Sequence, residues 1–322
     1  MRTIGVLCSG GDAPGMNAAL RAVVRYGISA GLRVYGITKG YAGLTRGSWK
    51  EMDRKSVANI ILRGGTILKT DRCPEFHKKS VRKKAVEGMR NAGIDALVVI
   101  GGDGSFRGAH ALWTEFGVPV VGIPGTIDND IAGTEATLGF DTAVNNAIDA
   151  IDKIRDTASA HERTFLVEVM GRNSGYIALD VGIGGGAEAI ILPEQKLPVR
   201  EVAARIKRGL DRGKTSSIVV MAEGHESGGS MRLAEELKTR YGIEAKVCIL
   251  GHIQRGGSPT ARDRRLGSVM GVVAVKALLD GYTDVMVGVE GDSEVLVPIP
   301  QTVKRSAKIR KDLIRMAEIL AT

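Results

Sequence analysis

The chain has few cysteines, few histidines and no long apolar run, and each scarcity removes a class of protein. Its three cysteines, Cys8, Cys73 and Cys248, are odd in number and far apart, which argues against a disulfide framework or a zinc site. The five histidines show no H-E-x-x-H spacing, so a histidine-held metal is not indicated. No apolar stretch reaches the roughly 18 residues of a membrane-spanning helix, and the N-terminus lacks a signal-type pattern. A cytoplasmic protein without a membrane partner is therefore expected.

Aromatic residues are also scarce, and this limits the meaning of the positive charge. The formal net charge is +9, but aromatic residues make up only 4% of the chain, which leaves little surface for stacking nucleic-acid bases. The basic residues are scattered in small groups. The charge therefore favours solvated helix faces and arginines that bind anionic metabolites over a nucleic-acid surface.

Length and element pattern predict an α/β fold with two lobes. At 322 residues the chain is long for one hydrophobic core. Strand-like runs alternate with helical stretches, which predicts βαβ units and mostly parallel sheets. These runs cover 3–8, 32–38, 96–100, 118–123, 164–170, 189–192, 216–222, 247–250 and 285–289.

Lobe boundaries are expected near Gly139 and near 251–257. A larger lobe would contain 1–139 and about 255–304, and a smaller lobe 140–254 and about 305–322. Helices are predicted over 17–30 and 140–157, and a basic amphipathic helix over 304–320.

Two loops follow buried-strand patterns and carry the strongest functional signal. The strand-like run 95–100 leads into Gly-Gly-Asp-Gly-Ser at 101–105, and 118–123 leads into Pro-Gly-Thr-Ile-Asp-Asn-Asp at 124–130. Glycines let backbone N–H groups approach a phosphate chain, and Asp103 offers a hard oxygen to Mg²⁺. Because both loops should open at one carboxyl edge of a sheet, the pattern predicts a phosphoryl-transfer centre.

A third glycine loop has the order that an anion site needs. Residues 9–17 read Ser-Gly-Gly-Asp-Ala-Pro-Gly-Met-Asn between a strand and a helix, whose N-terminus offers free N–H groups. Of two other glycine patterns, the one at 209–215 is rejected, and the one at 182–187 favours a tight turn over a dinucleotide-binding motif. The segment 209–215 is one residue too short for a Walker A loop and precedes a strand, and 182–187 also precedes a strand where a dinucleotide motif needs a helix.

Arginines beside glycines extend the predicted anion site. Arg72, Arg163, Arg172 and Arg255 lie near strand ends or glycine loops, and a guanidinium there suits bidentate phosphate recognition. A lone arginine usually forms a surface ion pair, but several in this setting favour phosphate binding.

Together these motifs closely resemble the ATP-dependent 6-phosphofructokinases of bacterial type, from Ile4 to about Tyr282. The resemblance implies two doubly wound lobes with the active site in the cleft between them, a larger ATP-binding lobe and a smaller fructose 6-phosphate-binding lobe. It also implies Mg²⁺ as cofactor and ATP as co-substrate.

The resemblance assigns roles in catalysis and nucleotide binding. Asp128 would be the base that accepts the proton of the sugar's 1-hydroxyl, with Thr126, Asp130 and Arg172 supporting the transfer, and Asp103 would hold Mg²⁺. The implied ATP-binding residues are Gly11, Tyr41, Arg72, Cys73, Gly102, Asp103, Gly104 and Ser105.

Sugar and effector sites are implied in the same way. Fructose 6-phosphate would contact Thr126, Asp128, Arg163, Met170, Gly171, Arg172, Glu223, Lys246, His252 and Arg255. Arg163 and Lys246 would reach it from a neighbouring subunit, which implies a homo-oligomer, with a tetramer expected. ADP or phosphoenolpyruvate would bind at Arg21, Arg25, Arg54, Arg155, Glu188, Arg212 and Lys214, although Lys246 and Ser216 depart from the family pattern.

Three other functions stay open at this point. Pyrophosphate-using relatives typically carry Asp where this chain has Gly104 and Lys where it has Gly125, so both positions favour ATP as donor. A non-catalytic nucleotide sensor would be expected to lack Asp128 or Asp103, and both are present. A nucleic-acid-binding protein would show steep salt-dependent retention on DNA.

Overall fold

A computed structural model describes residues 1–171, 173–195, 197–224, 229–304 and 309–321. Its elements in chain order are β1 (Thr3–Ser9), α1 (Met16–Ser29), β2 (Arg33–Ile37), α2 (Gly40–Arg46), β3 (Trp49–Met52), a 3-10 helix (Pro74–His77), α3 (Lys79–Asn91), β4 (Ala96–Gly101), α4 (Asp103–Phe116), β5 (Val120–Pro124), α5 (Phe140–Ala160), β6 (Thr164–Val169), α6 (Tyr176–Gly184), β7 (Ala189–Ile191), α7 (Val199–Asp211), β8 (Ser217–Ala222), α8 (Gly229–Tyr241), β9 (Ala245–Ile249), a second 3-10 helix (Gly251–Arg255), α9 (Ala261–Leu279), β10 (Val285–Glu290), β11 (Ser293–Pro298), α10 (Ile299–Lys304) and α11 (Lys311–Leu320).

The chain divides into two compact units. Unit 1 comprises Met1–Thr142 and Arg255–Ala307, and unit 2 comprises Ala143–Gln254 and Lys308–Thr322. The boundaries expected from the sequence, after 139 and near 255, lie close to these divisions.

Unit 1 is built on a seven-stranded sheet in the order β11-β10-β5-β4-β1-β2-β3. Its central pairs, β1 with β2, β1 with β4 and β4 with β5, are parallel. Strands β1 and β4 are buried along their whole length, as expected for strands covered on both faces. The predicted α/β class with mostly parallel sheets is therefore confirmed.

Both antiparallel strands of unit 1 lie at its sheet edges and are absent from the sequence prediction. β3 pairs with β2, and β11 pairs with β10. Both are partly exposed and mix charged with apolar residues, so they lack the continuous apolar run of the central strands.

Two helices of unit 1 pack unusually closely. On α9, a side-chain carbon at Gly267 would come within 2.8 Å of the Gly15 carbonyl oxygen, and one at Gly271 within 2.6 Å of the Ala19 oxygen. Glycine is therefore needed for the contact with α1. This contact holds the turn before α1, where Gly15 has a positive φ of 97°.

The start of α5 is held by a buried carboxylate. Asp263 accepts hydrogen bonds from the backbone N–H of Gly139 (2.8 Å), from the N–H of Thr142 (2.9 Å) and from the Thr142 hydroxyl (2.5 Å). These bonds satisfy donors at the helix N-terminus.

Unit 2 is built on a four-stranded parallel sheet in the order β7-β8-β6-β9. Its core contains Leu166, Val219 and Met221 from the strands, together with Ile206 and Leu237 from helices α7 and α8. The segment 182–187 ends a helix before β7, and 209–215 lies between α7 and β8, so neither has the strand–loop–helix order of a nucleotide-binding motif.

The predicted helix over 304–320 is wrong in its extent. α10 ends at Lys304, Arg310 is extended with φ −72° and ψ 115°, and α11 begins at Lys311. Arg310 is the N-cap residue of α11, and its extended backbone separates α11 from the chain before it. Among the described residues, no helix is long and apolar enough to cross a membrane.

Candidate active site in unit 1

The three predicted loops lie at the carboxyl ends of three adjacent strands. β1 ends before Gly10, β4 ends before Gly102 and β5 ends before Gly125, and the strands stand side by side in the order β5-β4-β1. The chain runs from β1 outward to β2 and then returns to β4 on the other side. The loops therefore meet at a topological switch point, where open α/β sheets bind ligands.

These loops line a pocket of about 770 Å³. Most residues predicted for nucleotide binding and phosphoryl transfer line it, namely Gly11, Tyr41, Arg72, Cys73, Gly102, Asp103, Gly104, Ser105, Thr126 and Asp128. Its volume falls in the range of ordinary small-molecule sites.

A stacked aromatic pair forms one wall of the pocket. The rings of Tyr41 and Phe76 are 4.1 Å apart between centroids and inclined by 14°. Tyr41 is buried, burial raises the pKa of its phenol, and its hydroxyl donates to the Ser105 carbonyl oxygen at 2.5 Å. Gly108 gives the ring room, because a side-chain carbon there would lie 2.8 Å from it. The pair therefore fixes the first turn of α4 against α2.

Asp103 lies at the start of α4, with its carboxylate exposed to the pocket. One oxygen accepts the N–H of Gly104 at 2.6 Å, and the other pairs with Arg107 at 2.9 Å. Among the described residues, no group of three or more acidic, histidine or cysteine side chains could hold a metal by itself. Mg²⁺ is commonly held by one or two carboxylates together with the substrate's phosphates, so a single accessible aspartate fits it.

Asp128 and Asp130 follow β5 and are half-buried, with the buried Asn129 between them. Burial raises the pKa of Asp130 to about 6, and the nearby charges of Asp128 and Asp103 act in the same direction. These influences indicate that the three carboxylates share one electrostatic environment. The backbone N–H of Asp128 donates to the Thr126 hydroxyl at 3.3 Å.

Arg255 lines the same pocket of unit 1. Its guanidinium donates to the Asp12 carbonyl oxygen at 2.9 Å, and a side-chain carbon at Gly11 would lie 2.7 Å from it. This arginine, predicted for the sugar phosphate, is therefore docked on the first glycine loop. Arg72 also lines the pocket and is exposed. It follows Thr70, whose hydroxyl donates to the Gly10 carbonyl oxygen at 2.6 Å.

The remaining residues predicted to bind the sugar belong to unit 2. Met170 and Gly171 are buried at the end of β6, and Glu223 is exposed at the end of β8. His252 is exposed in the second 3-10 helix. Arg172 lies outside the described residues.

Gln254 supports this segment and is missing from the sequence prediction. Its side chain is fully buried, and its Oε1 accepts the backbone N–H of Met170 at 2.8 Å. In the sequence, the one indication of a role for Gln254 was its position two residues after the predicted His252.

Arg163 and Lys246 lie close together at one edge of the unit 2 sheet. Arg163 precedes β6, and Lys246 lies on the edge strand β9 opposite Phe165. Both are exposed, and Lys246 pairs with Glu244 at 2.9 Å. Lys246 and Arg163 both lower the pKa of Glu244, the first through a hydrogen bond and the second through its charge. The edge therefore presents two cations together.

The candidate effector residues are divided between the units. Arg21 and Arg25 lie one turn apart on α1, and Arg54 is exposed after β3. In unit 2, a pocket of about 180 Å³ is lined by Glu188, Arg212 and Lys214. Glu188 is buried and pairs with Lys214 at 3.2 Å, and Arg155 donates to the Gly185 and Gly186 carbonyl oxygens.

Some lining residues of the unit 1 pocket are also absent from the prediction. Phe76, Arg107 and Gly108 line it beside the predicted residues. For Arg107 and Gly108 the available signal was helical spacing, since they stand three to five positions after Asp103 and Gly104 on α4.

Comparisons with known proteins define the class. The phosphofructokinase family profile matches residues 3–278. This chain belongs to the phosphofructokinase family, and the resemblance inferred from its motifs is confirmed.

The relatives narrow the class further. The ATP-dependent 6-phosphofructokinase 1 of Thermus thermophilus is 54% identical over 322 residues, covering 100% of both chains. The ATP-dependent 6-phosphofructokinase of Thermotoga neapolitana is 53% identical over 321 residues, again covering 100% of both. Both of these relatives are named as 6-phosphofructokinases that depend on ATP.

Solved structures agree on the fold. Phosphofructokinase from Pichia pastoris in the T-state superposes with a TM-score of 0.90 at 36% identity, over 99% of this chain and 39% of that longer chain. A pyrophosphate-dependent phosphofructokinase from Nitrosospira multiformis superposes with a TM-score of 0.88 at 19% identity, over 99% of this chain and 91% of that one. At 19% identity, the similarity to the Nitrosospira multiformis enzyme supports a shared fold and no conclusion about the phosphoryl donor.

Proposed function

We propose that this protein transfers the γ-phosphoryl group of ATP to the 1-hydroxyl of fructose 6-phosphate, giving fructose 1,6-bisphosphate and ADP. The observation that carries the proposal is the pocket of unit 1, where three glycine loops, Asp103 and Asp128 meet at the ends of adjacent parallel strands. The identity of more than half of all residues with ATP-dependent 6-phosphofructokinases supports the same reaction.

In the proposed chemistry, positioning and charge stabilisation supply most of the rate. The Asp128 carboxylate accepts the proton of the 1-hydroxyl, whose oxygen attacks the γ-phosphorus. The bond from that phosphorus to the bridging oxygen breaks, and ADP leaves. Thr126, Asp130, Arg72 and Arg172 would position the group or neutralise charge on its oxygens, as the family resemblance implies.

Asp103 would hold the Mg²⁺ that accompanies ATP. When bound, this ion would neutralise charge on the nucleotide's phosphates. The contacts of Asp103 with Gly104 and Arg107 leave lone pairs on its carboxylate for the ion. The side chains of Asp103 and Arg107 are both more than half exposed, so their ion pair also costs little to open.

Gly104 supports ATP as the donor. A side-chain carbon at Gly104 would meet no atom within 4 Å, so the protein's own packing leaves this space empty. Gly125 differs, because a side-chain carbon there would lie 2.8 Å from Met16 and 3.2 Å from Ile100. Gly104 is therefore the stronger argument for ATP as donor, because glycine at Gly125 is also required by internal packing.

We further propose a homo-oligomer, with a tetramer expected, in which Arg163 and Lys246 bind the 6-phosphate of a neighbouring subunit's substrate. Their exposure together at a sheet edge supports this role. ADP or phosphoenolpyruvate are the proposed effectors, at the seven residues named above. As a glycolytic kinase the enzyme is proposed to act in the cytoplasm.

A coupled assay for fructose 1,6-bisphosphate tests the donor directly. It is run with ATP or pyrophosphate, each with and without Mg²⁺. We expect turnover only when ATP and Mg²⁺ are both present, and none with pyrophosphate. Turnover with pyrophosphate alone would overturn the choice of donor, and no turnover with either would leave a nucleotide sensor as the better account.

A further inference from the structure

Asn129 has an unusual backbone conformation between two acidic residues. Its φ is 50°, in the left-handed region that asparagine tolerates better than most side chains. Asp128 and Asp130 on either side are half-buried, whereas the side chain of Asn129 is only 7% exposed. The amide is thus directed away from solvent at the point where the acidic residues approach the pocket.

Both ends of the Asn129 amide are used. Its Oδ1 accepts the backbone N–H of Thr137 at 2.9 Å, and its Nδ2 donates to the Glu135 carbonyl oxygen at 3.1 Å. The opposite orientation of the amide would set donor against donor and acceptor against acceptor, so this arrangement is the one that satisfies the network.

Thr137 continues the network back to the loop. Its hydroxyl lies 2.6 Å from the Thr126 carbonyl oxygen and 3.2 Å from the Asn129 Oδ1. Since a hydroxyl has one proton, the shorter contact takes it. The Leu138 N–H donates to the Pro124 oxygen at 2.9 Å. Residues 135–138 therefore support the loop 124–130 along its length.

Such support has a physical purpose. Asp128 and Asp130 carry like charges two residues apart, and a loose loop could relax by separating them. A base acts only within hydrogen-bond reach of its proton, and a misplacement of about 1 Å can cost about 100-fold in rate.

We propose that Asn129 is a positioning residue, which fixes Asp128 and Asp130 for phosphoryl transfer by tying their loop to Glu135 and Thr137. This inference rests on the proposed function. Asn129 itself touches none of the reacting groups in this account. Its effect should pass through Asp128.

The variant Asn129→Gly tests this directly, because glycine adopts the same φ while the side chain that carries the amide is removed. We expect kcat to fall about 10–100-fold, with KM for both substrates changed less than about twofold. ADP affinity, measured by calorimetry, should stay within about twofold, because the other two glycine loops are untouched.

Thr137 offers a matched pair. Thr137→Ser keeps the hydroxyl that bonds the Thr126 oxygen, and Thr137→Val keeps the shape without it. We expect Thr137→Val to lower kcat about tenfold and Thr137→Ser to retain most of it. If Asn129→Gly fails to fold, this pair tests whether the segment 135–138, which Asn129 joins to the loop, positions Asp128, and equal kcat in the two variants would then overturn the proposal.

Epistasis separates positioning from general stability. If Asn129 acts through Asp128, the double variant Asp128→Asn/Asn129→Gly should lose no more than about twofold relative to Asp128→Asn. The proposal would be overturned if the effects of the two substitutions on kcat were fully additive, or if Asn129→Gly left kcat unchanged. It would also be overturned if Asn129→Gly lowered kcat and ADP affinity and raised both KM values in parallel with a fall in Tm. The wild-type protein measured alongside separates this failure from failure of the proposed reaction.

Discussion

The proposed nucleotide pocket of unit 1 and the residues of unit 2 that are proposed to bind the sugar phosphate are built differently. In unit 1, backbone loops and glycines at buried strand ends form the pocket, and the side chains that line it are held by internal hydrogen bonds such as those of Tyr41 and Arg255. In unit 2, Arg163, Lys246 and His252 are exposed cations or polar groups at an edge or a short helix. We expect unit 1 to recognise its ligand through preformed shape, and the unit 2 residues to act through charge.

The largest expected effect comes from unit 1. Asp128→Asn keeps the size of the side chain but removes the proposed base, so kcat should fall about 10²–10⁴-fold. KM for both substrates should change little, because the variant removes an interaction of the transition state. Steady-state kinetics checks this, and a near-normal kcat would remove Asp128 from the base role.

A smaller effect is expected at the sheet edge of unit 2. Lys246→Ala removes one charged hydrogen bond, typically worth about 1.5–3 kcal/mol, so KM for fructose 6-phosphate should rise about tenfold or more. KM for ATP and kcat should change little. Lys207→Ala, at another exposed lysine of unit 2, is the control. Equal effects of the two variants would show that general charge, rather than this edge, matters.

The preformed shape of unit 1 predicts a selective effect at Gly104. Gly104→Asp adds a side chain whose Cβ would meet no atom within 4 Å, so we expect Tm to be unchanged. Repulsion from the nucleotide's phosphates should raise KM for ATP by about tenfold. Gly104→Ala separates size from charge, and should show a smaller rise. A normal KM for ATP in the Asp variant would contradict the donor argument.

The smallest effect concerns the pH dependence of stability. The pKa of Asp130 is raised from 3.8 to about 6 in the folded protein. Between these two pH values, the folded protein therefore holds a proton on Asp130 that the unfolded chain has already released. The contribution of Asp130 is therefore full below the unfolded pKa and is lost as pH rises through about 6.

Asp130→Asn tests this contribution. Relative to the wild-type protein without ligands, the variant should become progressively more stable as pH rises from about 4 to about 6, and the difference should level off above that pH. Urea unfolding at several pH values measures the difference. A constant difference over this range would show that the pKa of Asp130 is not raised.

Prediction from sequence succeeded where the structure depends on local patterns. The central strands of unit 1 are continuous apolar runs, and parallel strands bring their carboxyl ends to one edge, so the meeting of the loops at 10–11, 102–105 and 125–130 followed. The edge strands β3 and β11 mix charged and apolar residues and were missed.

The supporting contacts could not be predicted in the same way. The bond from Thr137 to Asn129 depends on a positive φ and on the path of the chain between them. Likewise, the bond from Met170 to Gln254 joins residues 84 positions apart. Such pairings are set by tertiary structure, whereas the motif residues that they support are visible in the sequence.

The most direct test of the central claim is the identity of the product. The wild-type protein is incubated with MgATP and fructose 6-phosphate, and the reaction is followed by ³¹P NMR. The account predicts a new phosphate monoester at carbon 1 of the sugar, formed in equal amount with ADP. Release of inorganic phosphate with ADP and no new sugar phosphate would contradict it.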